Sequence, residues 1–247
     1  MSEFVYGRQP VLEILKAGQR TLHKIWLLEG TGGDIIQEIQ NLARAQGIPF
    51  EWARREHLDK RVQGHHQGVV AQASAVAFQT LDDFLRQLKA APALIIALDE
   101  IQDPHNVGAI LRSAGFFGVS AVLVPKWRNA PVGETAARVS SGAIEHVPLI
   151  KITNLAQSIM DLQEANFEVI GADTSGEPME SYQPGKRCAI VFGSEGSGLR
   201  RLVRERCDKL LAIPGAGKVA SLNVAATAAI FIYEFRRRSS IGRAPVL

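Results

Sequence analysis

The sequence predicts an α/β protein: a parallel sheet with helices on both faces, preceded by a smaller α/β unit. Two observations carry this reading. From residue 93 onward, apolar runs recur at 94–98, 121–124, 169–171, 189–192 and 210–213, with helical stretches between them. Continuous runs, rather than alternating ones, are what strands covered on both faces need, and their alternation with helices implies parallel neighbours. Before residue 76 the elements are shorter. Residues 8–16 read as a helix, 23–28 as a strand, 34–46 as a helix stopped by Gly47, 49–53 as a second strand and 68–73 as a third. Strand, helix, strand in that order implies a parallel pair with a crossover helix. Residues 76–92 read as a linker holding one amphipathic helix, 81–89, and ending at Pro92, which disfavours helix at the residue before it. The expected division is therefore 1–75, a linker 76–92, and 93–247.

Bulk properties narrow the class. The chain has 247 residues, 46% of them hydrophobic and 21% charged, which suits an ordinary globular core. No apolar run approaches the roughly 18 residues needed to span a bilayer, and Met1-Ser2-Glu3-Phe4 opens no secretory signal. Two cysteines, Cys188 and Cys207, give no disulfide framework, which suits the cytosol, and Cys188 lies in an apolar run as a core residue would. The net charge of +3 is a mild bias. Arginine concentrates at Arg200, Arg201, Arg204 and Arg206, where it can hold phosphates, and at Arg236-Arg237-Arg238, where it also suits a helix C-terminus. His65 and His66 lack further Cys or His partners at metal-binding spacing, so no metal is expected. The tail 239–247 has no assignable role, and disorder is expected there.

Ligands of open parallel sheets bind beyond the carboxyl ends of the strands. Three polar segments follow three of the apolar runs. The first contains Asp103-Pro104, a helix start with Asp as cap, then Asn106 in the first turn and Arg112 further along the same helix. The second, Gly193-Ser194-Glu195-Gly196-Ser197-Gly198, has three glycines in six residues, which permit positive φ and close backbone approach, with Glu195 embedded among them. Its spacing is not the dinucleotide fingerprint, and neither Gly185-Lys186-Arg187 nor Gly217-Lys218-Val219 completes a phosphate loop. The third, 214–224, precedes an apolar helix expected at 224–235. Ser221 reads as its N-cap, with Ser221 and Asn223 at the positive end of the helix dipole.

Taken together, the segments resemble the three motifs of the SpoU (TrmH) family of the SPOUT superfamily, RNA ribose 2'-O-methyltransferases. Asn106 through Arg112 match the first motif, Phe192-Gly193-Ser194-Glu195-Gly196 the second, and Ile213-Pro214 through Ser221-Leu222-Asn223-Val224 the third. The first 75 residues resemble the small ribosomal-protein-like (L30e-like) RNA-binding domain of the group that modifies guanosine in 23S ribosomal RNA; Tyr6-Gly7 and His66-Gln67-Gly68 fit that group.

The resemblance implies a C-terminal trefoil knot, a homodimer with the active site at the subunit interface, and S-adenosylmethionine as methyl donor. It implies cofactor contacts near Gly193, Ile213 and Leu222, and a polar site of Asn106, Arg112, Glu195, Ser221 and Asn223. A guanidinium stays protonated at any working pH. Arg112 is therefore read as holding the target phosphate and stabilising the forming alkoxide, with the phosphate as proton acceptor and with Glu195 and Asn223 ordering Arg112 and the cofactor. The implied substrate is a guanosine 2'-hydroxyl of 23S rRNA. The alternatives are transfer RNA as substrate, or an inactive RNA-binding protein of the same fold. Nine Lys/Arg stand against eight Asp/Glu in residues 1–75, so RNA binding there must be local, with Arg8, Arg54, Arg55, Lys60, Arg61, His65 and His66 as candidates.

Overall fold

The computed structural model describes residues 2–238; the tail 239–247 lies outside them. Two compact units result, one formed by residues 2–77 and 132–146, the other by 78–131 and 147–238.

In the first unit the strands are β1 (Ser2–Tyr6), β2 (Leu22–Leu28), β3 (Phe50–Ala53) and β4 (Val69–Ser74). They form one sheet in the order β1-β4-β2-β3. β2 and β3 are parallel, as the crossover helix requires, whereas β4 runs antiparallel to both β1 and β2. α1 (Arg8–Ala17) and α2 (Asp34–Ala45) bury Val11, Leu12, Ile14, Leu15, Ile36 and Ile39 against one face. α3 (Arg55–Asp59) is a short helix that buries Leu58. The excursion 132–146 adds α4 (Glu134–Val139) and a 3₁₀ turn, Ala143–Glu145. Its anchor is Arg20, whose side chain is almost fully buried between Glu145 (3.1 Å) and Glu3 (2.6 Å) and also donates to Ser74 O.

The second unit carries the remaining strands: β5 (Ala93–Asp99), β6 (Ala121–Pro125), β7 (Leu149–Ile152), β8 (Glu168–Pro178), β9 (Arg187–Gly193) and β10 (Lys209–Ala212). All pairings are parallel, in the order β10-β8-β9-β5-β6-β7. Every residue of β5 is buried, as its unbroken apolar run requires. The helices are α5 (Leu81–Leu88), α6 (Pro104–Phe116), α7 (Leu155–Glu164), α8 (Arg201–Arg206) and α9 (Val224–Arg238). α5 lies inside the stretch expected as a linker, yet its Leu81 and Phe84 join the core of this unit. The chain builds outward from β5 through β6 to β7, then starts again on the other side. The order therefore switches between β5 and β9, the place where such sheets open a ligand crevice. Among the described residues no helix is long and apolar enough to cross a membrane.

Candidate active site

Strand register brings the first two polar segments together. Asp99, the last residue of β5, is the Cα partner of Gly193, the last residue of β9. The segments that follow these strands thus leave the sheet side by side. Asp103 caps α6 by accepting from His105 N at 2.8 Å, with Pro104 at the first position. That start places Asn106, 8% exposed, in the first turn above the sheet edge.

The glycine segment after β9 folds on itself: Ser194 N donates to Gly198 O and Gly198 N to Ser194 O. A Cβ on Gly193 would come within 2.2–2.4 Å of the Gly198–Leu199 backbone, so only glycine lets the loop close there. Gly196 and Gly198 have φ of 95° and 66°, where an L side chain is strained.

The third segment starts from β10, at the sheet edge and two strands from β9. Residues 213–223 then lead to α9, and Asn223 is the residue that meets the other segments. Asn106 Nδ2 donates to Glu195 Oε1 at 3.0 Å, and Asn223 Nδ2 donates to Asn106 Oδ1 at 2.9 Å and to Glu195 Oε1 at 2.6 Å. Three residues from three strand ends thus form one closed hydrogen-bonded triangle. Asn223 also caps α9, its Oδ1 accepting from Ala225 N (2.8 Å) and Ala226 N (3.3 Å). This corrects the expected capping role of Ser221: the helix starts at Val224, and Ser221 is an exposed loop residue two positions before the cap.

Arg112 does not join the triangle. Six residues along α6, it lies about 9 Å further down the axis and roughly 120° around it from Asn106. Its side chain is exposed and, among the described residues, makes no hydrogen bond or ion pair. Within one chain the side-chain bonds of Glu195 and Asn223 go to Asn106 and to each other rather than to Arg112. Gly193 is buried, Ile213 half-buried, and Leu222, at 52% exposure, stands out from the loop. Backbone groups of 215–222 form no hydrogen bonds with other described residues. Free amides and carbonyls beside exposed Leu222 and a polar triangle make a donor set that fits a ligand with an apolar-faced ring and a charged amino-acid end.

The arginines of 200–206 are largely committed to carboxylates. Arg200 donates from N (2.9 Å) and Nε (2.6 Å) to fully buried Asp99, and Arg204 pairs with Asp173 at 3.2 Å. Asp99 went unassigned in the sequence, although an acid ending an apolar run is a visible signal. Its two acceptor bonds pin the glycine loop's exit to β5. Asp99→Ala orphans both donors, and a broken buried pair costs about 3 kcal/mol or more; half-exposed Arg200 recovers part of this from water. The expected result is a Tm lowered by about 5 °C, measured by thermal melting; an unchanged Tm would remove the pin.

The fold and this triangle define an α/β protein with a polar site at the switch point of a parallel sheet. Residues 93–233 match the model of the SpoU rRNA methylase family, and residues 4–79 match the model of the RNA 2'-O ribose methyltransferase substrate-binding domain. The chain belongs to the SpoU rRNA methylase family. It is 40% identical over 97% of its length to the TrmH-family tRNA/rRNA methyltransferase YacO of Bacillus subtilis, covering 98% of that protein. The identity to the 23S rRNA (guanosine-2'-O-)-methyltransferase RlmB of Escherichia coli is also 40%, over 97% of this chain and all of RlmB. Among solved structures, a TrmH-family RNA methyltransferase from Porphyromonas gingivalis superposes with a TM-score of 0.76 at 26% identity, over 96% of this chain and 90% of that one.

Proposed function

We propose that this protein methylates the ribose 2'-hydroxyl of a guanosine in 23S ribosomal RNA with S-adenosylmethionine as methyl donor. The observation that carries the reading is the Asn106–Glu195–Asn223 triangle, formed by all three SpoU motifs. Full-length similarity to RlmB supports the choice of guanosine and 23S rRNA. The equal identity to YacO, named for both tRNA and rRNA, favours tRNA as the second reading.

When bound, the cofactor supplies a methyl group on a sulfonium sulfur. The chain's own residues hold the site. Asn106, Glu195 and Asn223 fix the three loops against one another; Gly193, Ile213 and Leu222 border the space for the cofactor. Arg112 holds the RNA phosphate next to the target ribose and stabilises negative charge on the 2'-oxygen, with that phosphate accepting the proton. Ser221 adds a hydroxyl to the rim. The assignment of RNA binding to the unit of residues 2–77 and 132–146, and of catalysis to the unit of 78–131 and 147–238, belongs to the same reading, as does threading of 213–223 into a trefoil knot. So does a cytoplasmic setting, where ribosomal RNA is made in bacteria.

Two copies pair in this reading. Phe116 (83% exposed), Ile230 (38%) and Tyr233 (52%) lie on α6 and α9, and Phe117 links them, with ring centroids 5.0 Å from Phe116 and 5.9 Å from Tyr233. An exposed apolar cluster of this kind marks an association surface.

The test is ribose-methylation mapping of 23S rRNA and tRNA from cells with and without the gene, together with the solution mass of the purified protein. One guanosine in 23S rRNA is expected to lose its methyl, and the mass is expected at twice 26.9 kDa. Loss from a tRNA instead would select the second reading, and a monomer mass would remove the pairing.

A further inference from the structure

The first unit holds a cleft of about 500 Å³ that the methyl-transfer site leaves unexplained. Its walls include Arg8, Thr31, Arg55, His65, Gln67 and Gly68, with no carboxylate among the lining residues. We propose that this cleft seats one unpaired nucleotide of the substrate RNA, its phosphodiester held by Arg8 and Arg55. The proposal rests on the reading of the protein as an RNA methyltransferase and deepens it by naming where the RNA is gripped.

The cleft is built by a strained and heavily braced loop. Gln67 and Gly68 both have positive φ, 52° and 82°, and strain of this kind in a non-glycine residue collects at ligand sites. His66, 3% exposed, braces the loop from beneath. Its Nδ1 accepts from Gly68 N at 2.9 Å, which puts the proton on Nε2, facing Asp59 Oδ1 at 3.1 Å. Gln67 in turn fixes the start of α1: its Oε1 accepts from Arg8 N and its backbone carbonyl from Arg8 Nε. Arg8 is therefore aimed by its Nε, while among the described residues its terminal nitrogens meet no acceptor. The exposed Arg55 side chain likewise makes no ion pair or hydrogen bond with the described residues. A Cβ on Gly68 would stand 2.9 Å from Thr31 Oγ1, so glycine keeps this wall flat.

Two guanidiniums whose terminal nitrogens have no acceptor among the described residues, on a wall lined by no carboxylate, suit a phosphate, which Arg contacts bidentately. The volume exceeds what a phosphate needs and falls in the range of small-ligand clefts. Gln67 offers a free amide donor, and Leu28 an apolar surface, for the attached base. Unpaired nucleotides splayed from a loop are what proteins read in RNA.

The experiment uses the full chain and an unmodified 23S rRNA transcript. Affinity is measured across salt concentrations for the parent, Arg55→Ala, Arg8→Ala/Arg55→Ala, and a control, Lys16→Ala/Lys24→Ala, which removes the same charge from exposed ion pairs elsewhere on the unit. The double cleft variant is expected to bind about tenfold more weakly, with the slope of log K against log salt shallower by about 0.7 to 0.9, the worth of one phosphate contact. Arg55→Ala, which disturbs no internal bond, is expected to show about half that slope change. S-adenosylmethionine affinity, read by calorimetry, is expected to stay within twofold. Unchanged RNA affinity in the cleft variants, or an equal loss in the lysine control, would overturn the site. A 20-mer duplex competing as well as a 20-mer single strand would overturn the unpaired nucleotide. If the parent fails to methylate any RNA while the cleft variants still lose affinity, the methyltransferase reading falls and the cleft stands.

Discussion

Arg112→Ala is expected to lower kcat for RNA methylation by about 10³-fold, close to 4 kcal/mol, while S-adenosylmethionine affinity stays within twofold. The chemistry moves a hydroxyl proton away while negative charge grows on the ribose oxygen. A fixed cation next to that oxygen contributes differentially to the transition state, and removing one such group costs about 10²–10³ in rate. Arg112→Lys keeps the charge but loses the fork that grips a phosphate, so an intermediate loss of about 10-fold or more is expected. Quench-flow methylation under saturating RNA and cofactor measures both; near-normal turnover of Arg112→Ala would remove Arg112 from the chemistry. The position of Arg112 adds a sharper test. Within one chain it is exposed and separated along α6 from the Asn106 triangle. A homodimer with its active site at the subunit interface lets a second copy supply Arg112. In that case, mixing Arg112→Ala protein with Asn223→Ala protein, at a cofactor concentration too low to load the latter, is expected to restore activity, because a mixed dimer contains one intact site. No recovery after subunit exchange would place both groups in the same chain's site.

The legible parts of this molecule are those whose physics is local. The larger sheet stands out because strands buried on both faces carry continuous apolar runs, as 93–98 of β5 and 188–192 of β9 do. β7 escaped notice because it is four residues long with exposed Lys151 in the middle, and β1 because only Val5 and Tyr6 of its five residues are buried. The direction of β4 depends on a pairing with β1 across more than sixty residues, which no local pattern encodes. The same holds for the excursion 132–146. Its anchor is Glu145 on buried Arg20, 125 residues apart, and neither residue differs in the sequence from a surface charge. In the site, Asn106, Glu195 and Asn223 were legible as polar groups at strand ends; that they bond to one another was not. The cap of α9 was misplaced for a specific reason. Ser221, Leu222 and Asn223 offer two good capping residues around one apolar residue, and Leu222 imitates the first buried position of a helix. In the structure Leu222 is half-exposed, and the helix waits for Asn223.

Asn223 therefore carries two duties, and two substitutions separate them. Asn223→Ala removes the cap, worth about 1 kcal/mol, and deletes the donor shared by Asn106 and Glu195. Asn223→Asp keeps an oxygen to cap α9 but replaces the amide donor with a second acceptor, 2.6 Å from Glu195 Oε1. Two carboxylates at that distance repel, and Asn106 has one amide group to satisfy both. The loops after β9 and β10 must then separate. Both variants are expected to bind S-adenosylmethionine about 10²-fold more weakly, roughly 2.7 kcal/mol, because both open the triangle. They are expected to differ in stability: thermal melting should show a Tm lowered by about 2–4 °C for Asn223→Ala, whereas Asn223→Asp retains the helix cap and an acid suited to the helix N-terminus. Calorimetric titration of the cofactor beside the melts gives both readouts on one preparation. If Asn223→Asp binds the cofactor like the parent, the triangle does not hold the cofactor loops. If affinity falls only in step with Tm, Asn223 acts as a cap alone. Loss of affinity without loss of the helix is the signature of a residue that ties the end of the chain's last strand to the first motif, and so closes the site around its ligand.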